Sequence, residues 1–88
     1  MDPKPEYRIL VLQRGWVVVG QFELVDDECR LHNAAVIRRW GTSKGIGELV
    51  TGPTKSTVLD KAGEIRADKL AVVLHISVDS EAWSKALQ

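Results

Sequence analysis

The residues with the clearest capacity for chemistry lie in one glycine-rich stretch, residues 38–49, which read RRWGTSKGIGEL. An arginine guanidinium is a planar set of donors that suits phosphate oxygens, and it also stacks on nucleobases. An indole ring offers a flat face to a purine or a pyrimidine. Glycines let backbone N–H groups approach an anion without a Cβ in the way. Together these residue types suit a ligand that carries both a phosphate and an aromatic base.

The predicted ligand contacts extend from this stretch to the hydroxyl-rich residues that follow it. Arg38 and Arg39 are consecutive in a strand and cannot both face one ligand, so one contacts phosphate with Lys44 and the other faces an acidic side chain. The sequence leaves open which arginine does which. The residues predicted to bind the ligand are Arg38, Arg39, Trp40, Gly41, Thr42, Lys44, Gly45, Gly47 and Thr54.

The three tryptophans have two interpretations, ligand contact or core packing. Trp40 stacks on a base in the nucleotide hypothesis, but a tryptophan that leaves a strand is more often part of a hydrophobic core. Trp16 and Trp83 are predicted to lie in the core or at an interface.

The charge of the chain is balanced overall and uneven locally. Twelve Lys and Arg residues oppose twelve Asp and Glu residues, which argues against a general duplex-binding protein. Residues 38–55 nevertheless hold four basic side chains against the single acid Glu48. Such a local patch can attract an anion although the whole molecule is neutral.

The GTSKGIG pattern at residues 41–47 is similar to the cofactor loop of short-chain dehydrogenases. That loop depends on a long helix whose N-terminus binds the pyrophosphate, and Gly52-Pro53 ends any helix here after one turn. The only tyrosine is Tyr7, so the catalytic tyrosine and lysine pair of that family has no counterpart. No Gly-Lys-Ser/Thr follows at the spacing of a P-loop. The pattern therefore predicts no dinucleotide site.

The sequence gives little support for catalysis, a cofactor or a metal. His32, His75 and the lone Cys29 lack the spacing of metal ligands, and they are predicted to be half-buried strand residues. Cys29 and His32 would point to opposite faces of one strand, which separates a nucleophile from its base. The acids at 26–28 are predicted to form a solvated turn. We therefore predict a protein that is not an enzyme, and the single cysteine fits a reducing compartment.

The first half of the chain is predicted to form three strands. Residues 7–13 and 16–25 are apolar and rich in branched side chains, as strands are. Residues 29–40 continue as a third strand, in which the alternation slips at Asn33-Ala34 and predicts a bulge. One helical turn is expected at residues 48–50.

The second half is predicted to add a hairpin, a strand and a helix. Residues 56–66 resemble a hairpin with Gly63 in the turn. Residues 69–78 form the strongest predicted strand, and Asp79 or Ser80 caps a short helix after it. The residues predicted to share one face of this last strand are Leu70, Val72, Leu74, Ile76 and Val78.

These elements predict a mainly β (α+β) fold. We expect a small bent antiparallel sheet or an SH3/Sm-like barrel of five to six strands, with a short C-terminal helix. Residues 1–6 are predicted to be a flexible N-terminus, residues 7–79 a single β-rich domain and residues 80–88 the helix.

One predicted feature bears on assembly. Val17, Val19, Ala71 and Val73 make a second strand face apolar, and something must cover it. The short helix and the long connection at 41–55 are the candidates within the chain. A partner subunit is the other candidate, and we predict a homo-oligomer.

At residues 33–60 the chain resembles a family of small proteins encoded by phages and prophages, which carry an Arg-Trp-Gly-Thr-x-Lys-Gly-x-Gly-Glu-Leu segment followed by Gly-Pro-Thr. The resemblance covers most of residues 7–78. It implies a non-enzymatic accessory factor in the host bacterial cytoplasm, which blunts anti-phage defence by sequestering a cyclic-nucleotide or ADP-ribose messenger. The matching residues are Arg39, Trp40, Gly41, Thr42, Lys44, Gly45, Gly47, Glu48, Leu49, Gly52, Pro53 and Thr54.

Two other functions stay open. Residues 15–34 resemble the strand-turn-strand of Sm-like proteins, which would suit a small barrel that binds single-stranded nucleic acid. A protein-only inhibitor or a virion accessory protein is the third possibility. No membrane partner is expected, because no apolar run approaches the ~18 residues of a spanning helix.

Overall fold

The computed structural model describes residues 6–88. The prediction of a flexible terminus at residues 1–6 therefore falls, except for Glu6, outside the described residues. Short 3-10 helices occupy Gln13–Gly15, Ile46–Thr51 and Lys69–Ala71. The strands and the helix are β1 (Tyr7–Leu12), β2 (Val17–Val25), β3 (Glu28–Arg39), β4 (Val58–Asp68), β5 (Val72–Ser77) and α1 (Ser80–Ala86).

The five strands form one open antiparallel sheet in the order β4-β3-β2-β1-β5. This confirms the prediction of a mainly β fold with a short C-terminal helix. Only Lys69–Ala71 joins β4 to β5, although these strands lie at opposite edges. The end of β4 at Asp68 and the start of β5 at Val72 are four Cα–Cα steps apart, which span at most about 15 Å. Five flat strands would separate their edges by about 19 Å, so the sheet must bend.

The predicted bulge at Asn33-Ala34 is confirmed. The pairing of β2 with β3 shifts register between Val19 and Gln21, and Asn33 takes a positive φ of 51°. The Asn33 side-chain amide donates to the hydroxyl of the buried Tyr7 at 3.2 Å. This contact links the bulge of β3 to β1, across β2.

The hairpin predicted at residues 56–66 is wrong. Val58–Asp68 is one strand that pairs with β3, and Gly63 lies opposite Ala34 with a φ of 73°. A glycine with positive φ serves a bulge as well as it serves a turn. Strand β3 is twelve residues long, so β4 can continue to pair with it on both sides of Gly63.

The single apolar face predicted for residues 69–78 is also wrong. The first three residues form a 3-10 turn, in which the Asp68 carboxylate accepts from the Leu70 N–H at 2.8 Å. The register between β1 and β5 then shifts between Leu74 and Val72. Val72 consequently packs with one apolar cluster, whereas Ile76 packs with the other.

Two apolar clusters lie on the two faces of the sheet. The first contains Val17 and Val19 together with Leu49 of the connection and Trp83 of α1. The internal candidates therefore cover the face at Val17 and Val19. Ala71 lies in a 3-10 turn and Val73 is exposed, so the prediction that they share this face is wrong. The second cluster lies on the other face and contains Leu10, Val18, Cys29, Leu31 and Ala34.

Helix α1 begins as predicted. The Asp79 carboxylate accepts from the Ala82 N–H at 3.1 Å, which confirms a cap at this position. Trp83 and Leu87 are both fully buried, one turn apart. Trp83 is thus a core residue, whereas Trp16 is 56% exposed. Within residues 6–88, no helix is long and apolar enough to cross a membrane.

Candidate ligand-binding hollow

The connection between β3 and β4, residues 40–57, is anchored at its middle by helix α1. The indole Nε1 of Trp83 donates to the Leu49 carbonyl at 2.7 Å, and the Asp79 N–H donates to the Val50 carbonyl at 2.8 Å. Leu49 itself is fully buried. The 3-10 helix Ile46–Thr51, which extends the predicted single turn, is therefore fixed to the core.

Two threonine hydroxyls join the ends of the same connection. Thr57 Oγ1 donates to the Trp40 carbonyl at 2.7 Å, and Thr54 Oγ1 donates to the Gly41 carbonyl at 2.6 Å. The Thr54 N–H donates in turn to Thr57 Oγ1 at 2.8 Å. The chain leaving β3 and the chain entering β4 are thus held side by side.

Gly41 is required where these two segments meet. Its φ of 67° lies in the region that favours glycine, and a Cβ at this position would overlap the peptide between Ser56 and Thr57. The contact between backbones therefore allows no larger residue.

Between the joined segments lies a hollow of about 660 Å³ that opens to solvent. This volume falls within the roughly 300–1,000 Å³ of small-molecule sites. Trp40 lines the hollow and is 41% exposed, so it is not a core residue. The lining residues are Arg39, Trp40, Gly41, Thr42, Ser43, Glu48, Thr54, Lys55 and Ser56.

The hollow carries two cations and one carboxylate. Among residues 6–88, neither Arg39 nor Lys55 has an acidic group within ion-pair distance. The Glu48 carboxylate is engaged by the loop, since it accepts from the Lys44 N–H and from Ser43 Oγ, the latter at 3.4 Å. Two cations therefore remain to meet an anion.

Five of the nine predicted residues line this hollow together: Arg39, Trp40, Gly41, Thr42 and Thr54. Lys44, Gly45 and Gly47 do not belong to its lining. The Thr54 hydroxyl has only one proton and donates it to the Gly41 carbonyl, so it holds the walls of the hollow together.

Arg38 lies apart from the hollow. Its Nε donates to the Asp60 carboxylate at 2.9 Å, which confirms that one of the two arginines faces an acid. Arg38 lines a second hollow of about 400 Å³ together with Asp60 and Trp16. Arg39 is thereby the arginine left facing the first hollow.

The prediction missed four lining residues: Ser43, Glu48, Lys55 and Ser56. Ser43, Lys55 and Ser56 carried a signal, because they belong to the same hydroxyl-rich and basic segment. Glu48 carried none, since its position follows from the 3-10 helix Ile46–Thr51 folding back toward residues 43 and 44.

The isolated titratable residues lie elsewhere in the sheet. Burial, with a smaller contribution from the Asp68 carboxylate, raises the pKa of the Cys29 thiol, which makes it a poor nucleophile. His32 is half-buried as predicted, with Nε2 at 3.0 Å from Glu23 and Nδ1 at 3.2 Å from Glu64. His75 is exposed, contrary to the prediction. In the part of the chain described, no three His, Cys, Asp or Glu side chains could hold a metal ion together.

Comparisons with known proteins add no relative. A scan against models of protein families finds no match, and a search of curated proteins finds none either. The resemblance to small phage proteins therefore stays a prediction. Functional inference rests on the chemistry of the hollow.

Proposed function

We propose that this chain is a non-enzymatic binding protein that holds a small anionic nucleotide in the hollow between residues 39–43 and 54–56. One observation carries the proposal: the exposed Trp40 ring shares a hollow of about 660 Å³ with Arg39 and Lys55, two cations without acidic partners among residues 6–88. A nucleotide combines an aromatic base with phosphate and so matches both features.

Each wall has a distinct role in this proposal. Arg39 donates to phosphate oxygens through its planar guanidinium, and Lys55 adds a second positive charge from the opposite wall. Trp40 stacks on the base, and Thr42 offers a hydroxyl. Thr54 and Gly41 set the distance between the walls without touching the ligand.

The resemblance to small phage proteins extends the proposal to a biological setting. A sequestering protein needs a binding site but no catalytic group, and it works by withholding its ligand from other receptors. A cyclic dinucleotide messenger of the host bacterial cytoplasm would fit this role, because it presents two bases and two phosphates. Its second half would remain outside the hollow, which opens to solvent.

Isothermal titration calorimetry against cyclic dinucleotides, mononucleotides and ADP-ribose tests the proposal. We expect saturable heat with at least one ligand. Arg39→Ala should weaken it roughly 10- to 100-fold, the loss of one charge-assisted contact. Trp40→Ala should weaken it without unfolding the protein. Arg38→Ala is the matched control and should bind as the unchanged protein does.

The proposal is wrong if no ligand of this panel gives heat or a thermal shift. It is also wrong if Arg38→Ala and Arg39→Ala weaken binding equally, since Arg38 lies outside the hollow. Unfolding of Trp40→Ala would instead assign the indole a structural role.

A second function has one observation in its favour. Trp16, 56% exposed, precedes β2, and Trp40, 41% exposed, follows β3. These strands are antiparallel neighbours, so both rings lie at the same end of the sheet. Successive bases of a single strand stack on such exposed rings. Fluorescence anisotropy with labelled oligonucleotides would then show affinity that grows with length and falls steeply with salt.

A further inference from the structure

The hollow near Trp40 is lined by charges of both signs. Arg39 and Lys55 are its cations, and Glu48 is the only acid among its lining residues. A carboxylate repels a phosphate and accepts hydrogen bonds from N–H and O–H groups. The ligand that suits all three charged side chains therefore carries phosphate oxygens in one part and hydrogen-bond donors in another.

One oxygen of the Glu48 carboxylate is held by the neighbouring loop. Oε2 accepts from the Lys44 N–H, and from Ser43 Oγ at 3.4 Å. The backbone of Glu48 is held as well, because the next residue, Leu49, is fully buried. The carboxylate is thus oriented without a ligand, which lowers the entropy cost of using it in binding.

The other oxygen, Oε1, keeps its capacity to accept. Among residues 6–88, no side chain or backbone N–H donates to Oε1 of Glu48, and no cation lies within ion-pair distance of it. An ionised carboxylate has about two lone-pair sites on each oxygen. Oε1 can therefore accept from two donors of one ligand.

The common bases differ in what they offer to such an oxygen. Guanine presents two donors side by side, N1–H and the 2-amino group. Adenine and cytosine each present one amino group beside a ring nitrogen that is itself an acceptor, and uracil presents one N–H between two carbonyl oxygens. An acceptor that faces a carboxylate is repelled by it. Guanine is thus the base that fits Oε1 best.

We propose that Glu48 makes the hollow selective for a guanine nucleotide, with Oε1 accepting from N1–H and the 2-amino group. This inference rests on the proposed nucleotide-binding function and names the base. Trp40 stacks on the guanine, while Arg39 and Lys55 bind phosphate. An adenine nucleotide brings the N1 lone pair toward the carboxylate, so ADP-ribose and all-adenine messengers fit the hollow less well.

Isothermal titration calorimetry at neutral pH with GMP, IMP and AMP tests the selectivity. We expect GMP to bind roughly 10- to 100-fold more tightly than AMP, the effect of hydrogen bonds to a charged group. IMP keeps N1–H but lacks the 2-amino group, and its affinity should lie between the two. Cyclic di-GMP and cyclic di-AMP give the same comparison for a larger ligand.

Glu48→Gln separates selectivity from a structural role. The glutamine carbonyl can still accept from the Lys44 N–H, but its amide NH2 now meets the guanine donors with a donor and adenine N1 with a suitable partner. The preference for GMP over AMP should therefore disappear or reverse, whereas a purely structural role would weaken both ligands by the same factor. Glu81→Gln, at an exposed position on α1, is the matched control and should keep the preference for GMP.

The outcomes distinguish this inference from the proposed function. Equal binding of GMP, IMP and AMP overturns the selectivity and leaves the nucleotide site standing, whereas no binding by any nucleotide of either set overturns both. A preference for GMP that survives in Glu48→Gln means that another residue selects the base. If 2′-deoxy-GMP binds much more weakly than GMP while IMP binds equally well, Glu48 accepts from the ribose hydroxyl and the assignment to guanine is wrong.

Discussion

The indole Nε1 of Trp83 donates a 2.7 Å hydrogen bond to the backbone carbonyl of Leu49, 34 residues earlier in the chain. Both residues are fully buried. One contact thereby connects the C-terminal helix to the segment that carries the candidate hollow. The stability of the hollow and the docking of α1 are consequently coupled.

Trp83→Phe tests this coupling. The variant removes the indole donor, so the buried Leu49 carbonyl keeps only the 3.2 Å hydrogen bond from the Gly52 N–H, and it makes the ring smaller. We expect a loss of about 2 kcal/mol in the free energy of unfolding. For a domain of this size that lowers Tm by roughly 8–16 °C. Trp16→Phe, at an exposed position, should change stability by less than about 0.5 kcal/mol. Similar Tm values for the two variants would contradict the coupling.

Gly41→Ala should lower the free energy of unfolding more than Gly63→Ala, although both glycines have a similar positive φ, 67° and 73°. The backbone strain of about 1–2 kcal/mol is common to both. Only at Gly41 does a Cβ meet the Ser56–Thr57 peptide, whereas nothing lies within 4 Å at Gly63. We therefore expect about 1–3 kcal/mol of additional loss for Gly41→Ala in urea unfolding. Equal losses would show that the two segments separate easily.

Thr57→Val probes the hydroxyl that joins the two walls. The substitution conserves shape but removes the acceptor for the Thr54 N–H and the donor to the Trp40 carbonyl. Two lost hydrogen bonds predict a destabilisation of about 1–3 kcal/mol. Thr51→Val is the control, because its 3.5 Å contact with the Glu48 carbonyl is long and exposed. If Thr57→Val is no more destabilised than Thr51→Val, the walls are held by other contacts.

Cys29 should make the protein less stable in alkaline solution. Burial first, and the Asp68 carboxylate second, raise the pKa of the folded thiol above its unfolded value. The contribution of the Cys29 thiol to the free energy of unfolding is complete below the unfolded pKa. It is lost as pH rises through the folded pKa, because the thiol ionises more easily in the unfolded chain. The free energies of unfolding of the unchanged protein and of Cys29→Ala, measured in urea, should therefore converge from about pH 8 upward. Parallel stability profiles across this range would refute the assignment.

Local patterns predicted the elements that depend on neighbours in sequence. The shared face of Val17 and Val19, the slip at Asn33 and the cap at Asp79 all have short-range causes, and the structure shows each of them. One arginine of the Arg38-Arg39 pair was expected to face an acid, because neighbours in a strand point to opposite faces. Its partner Asp60 lies 22 residues away, so no local pattern could name it.

The errors have long-range causes. Gly63 fits a turn or a bulge equally well, and pairing with β3 decides between them. The register shift at Val72 depends on its pairing with Leu12, 60 residues earlier. The hollow likewise depends on Thr57 reaching the Trp40 carbonyl once β4 has paired. Residue types could thus predict a binding segment of the chain, but not which of its residues would line the same hollow.

The pairing of β1 with β5, the last strand along the chain, has a consequence for biosynthesis. Strand β1 begins the described sheet, yet one of its two neighbours is the last strand to be made, with Arg8 paired to Ser77. The N–H of Tyr7 likewise donates to Ser80 Oγ, 73 residues later. Until those residues leave the ribosome, one edge of β1 is unpaired and the first apolar cluster lacks Trp83. Folding should therefore finish only after translation of the C-terminal helix, at the slow rates typical of sheets with distant strand pairs.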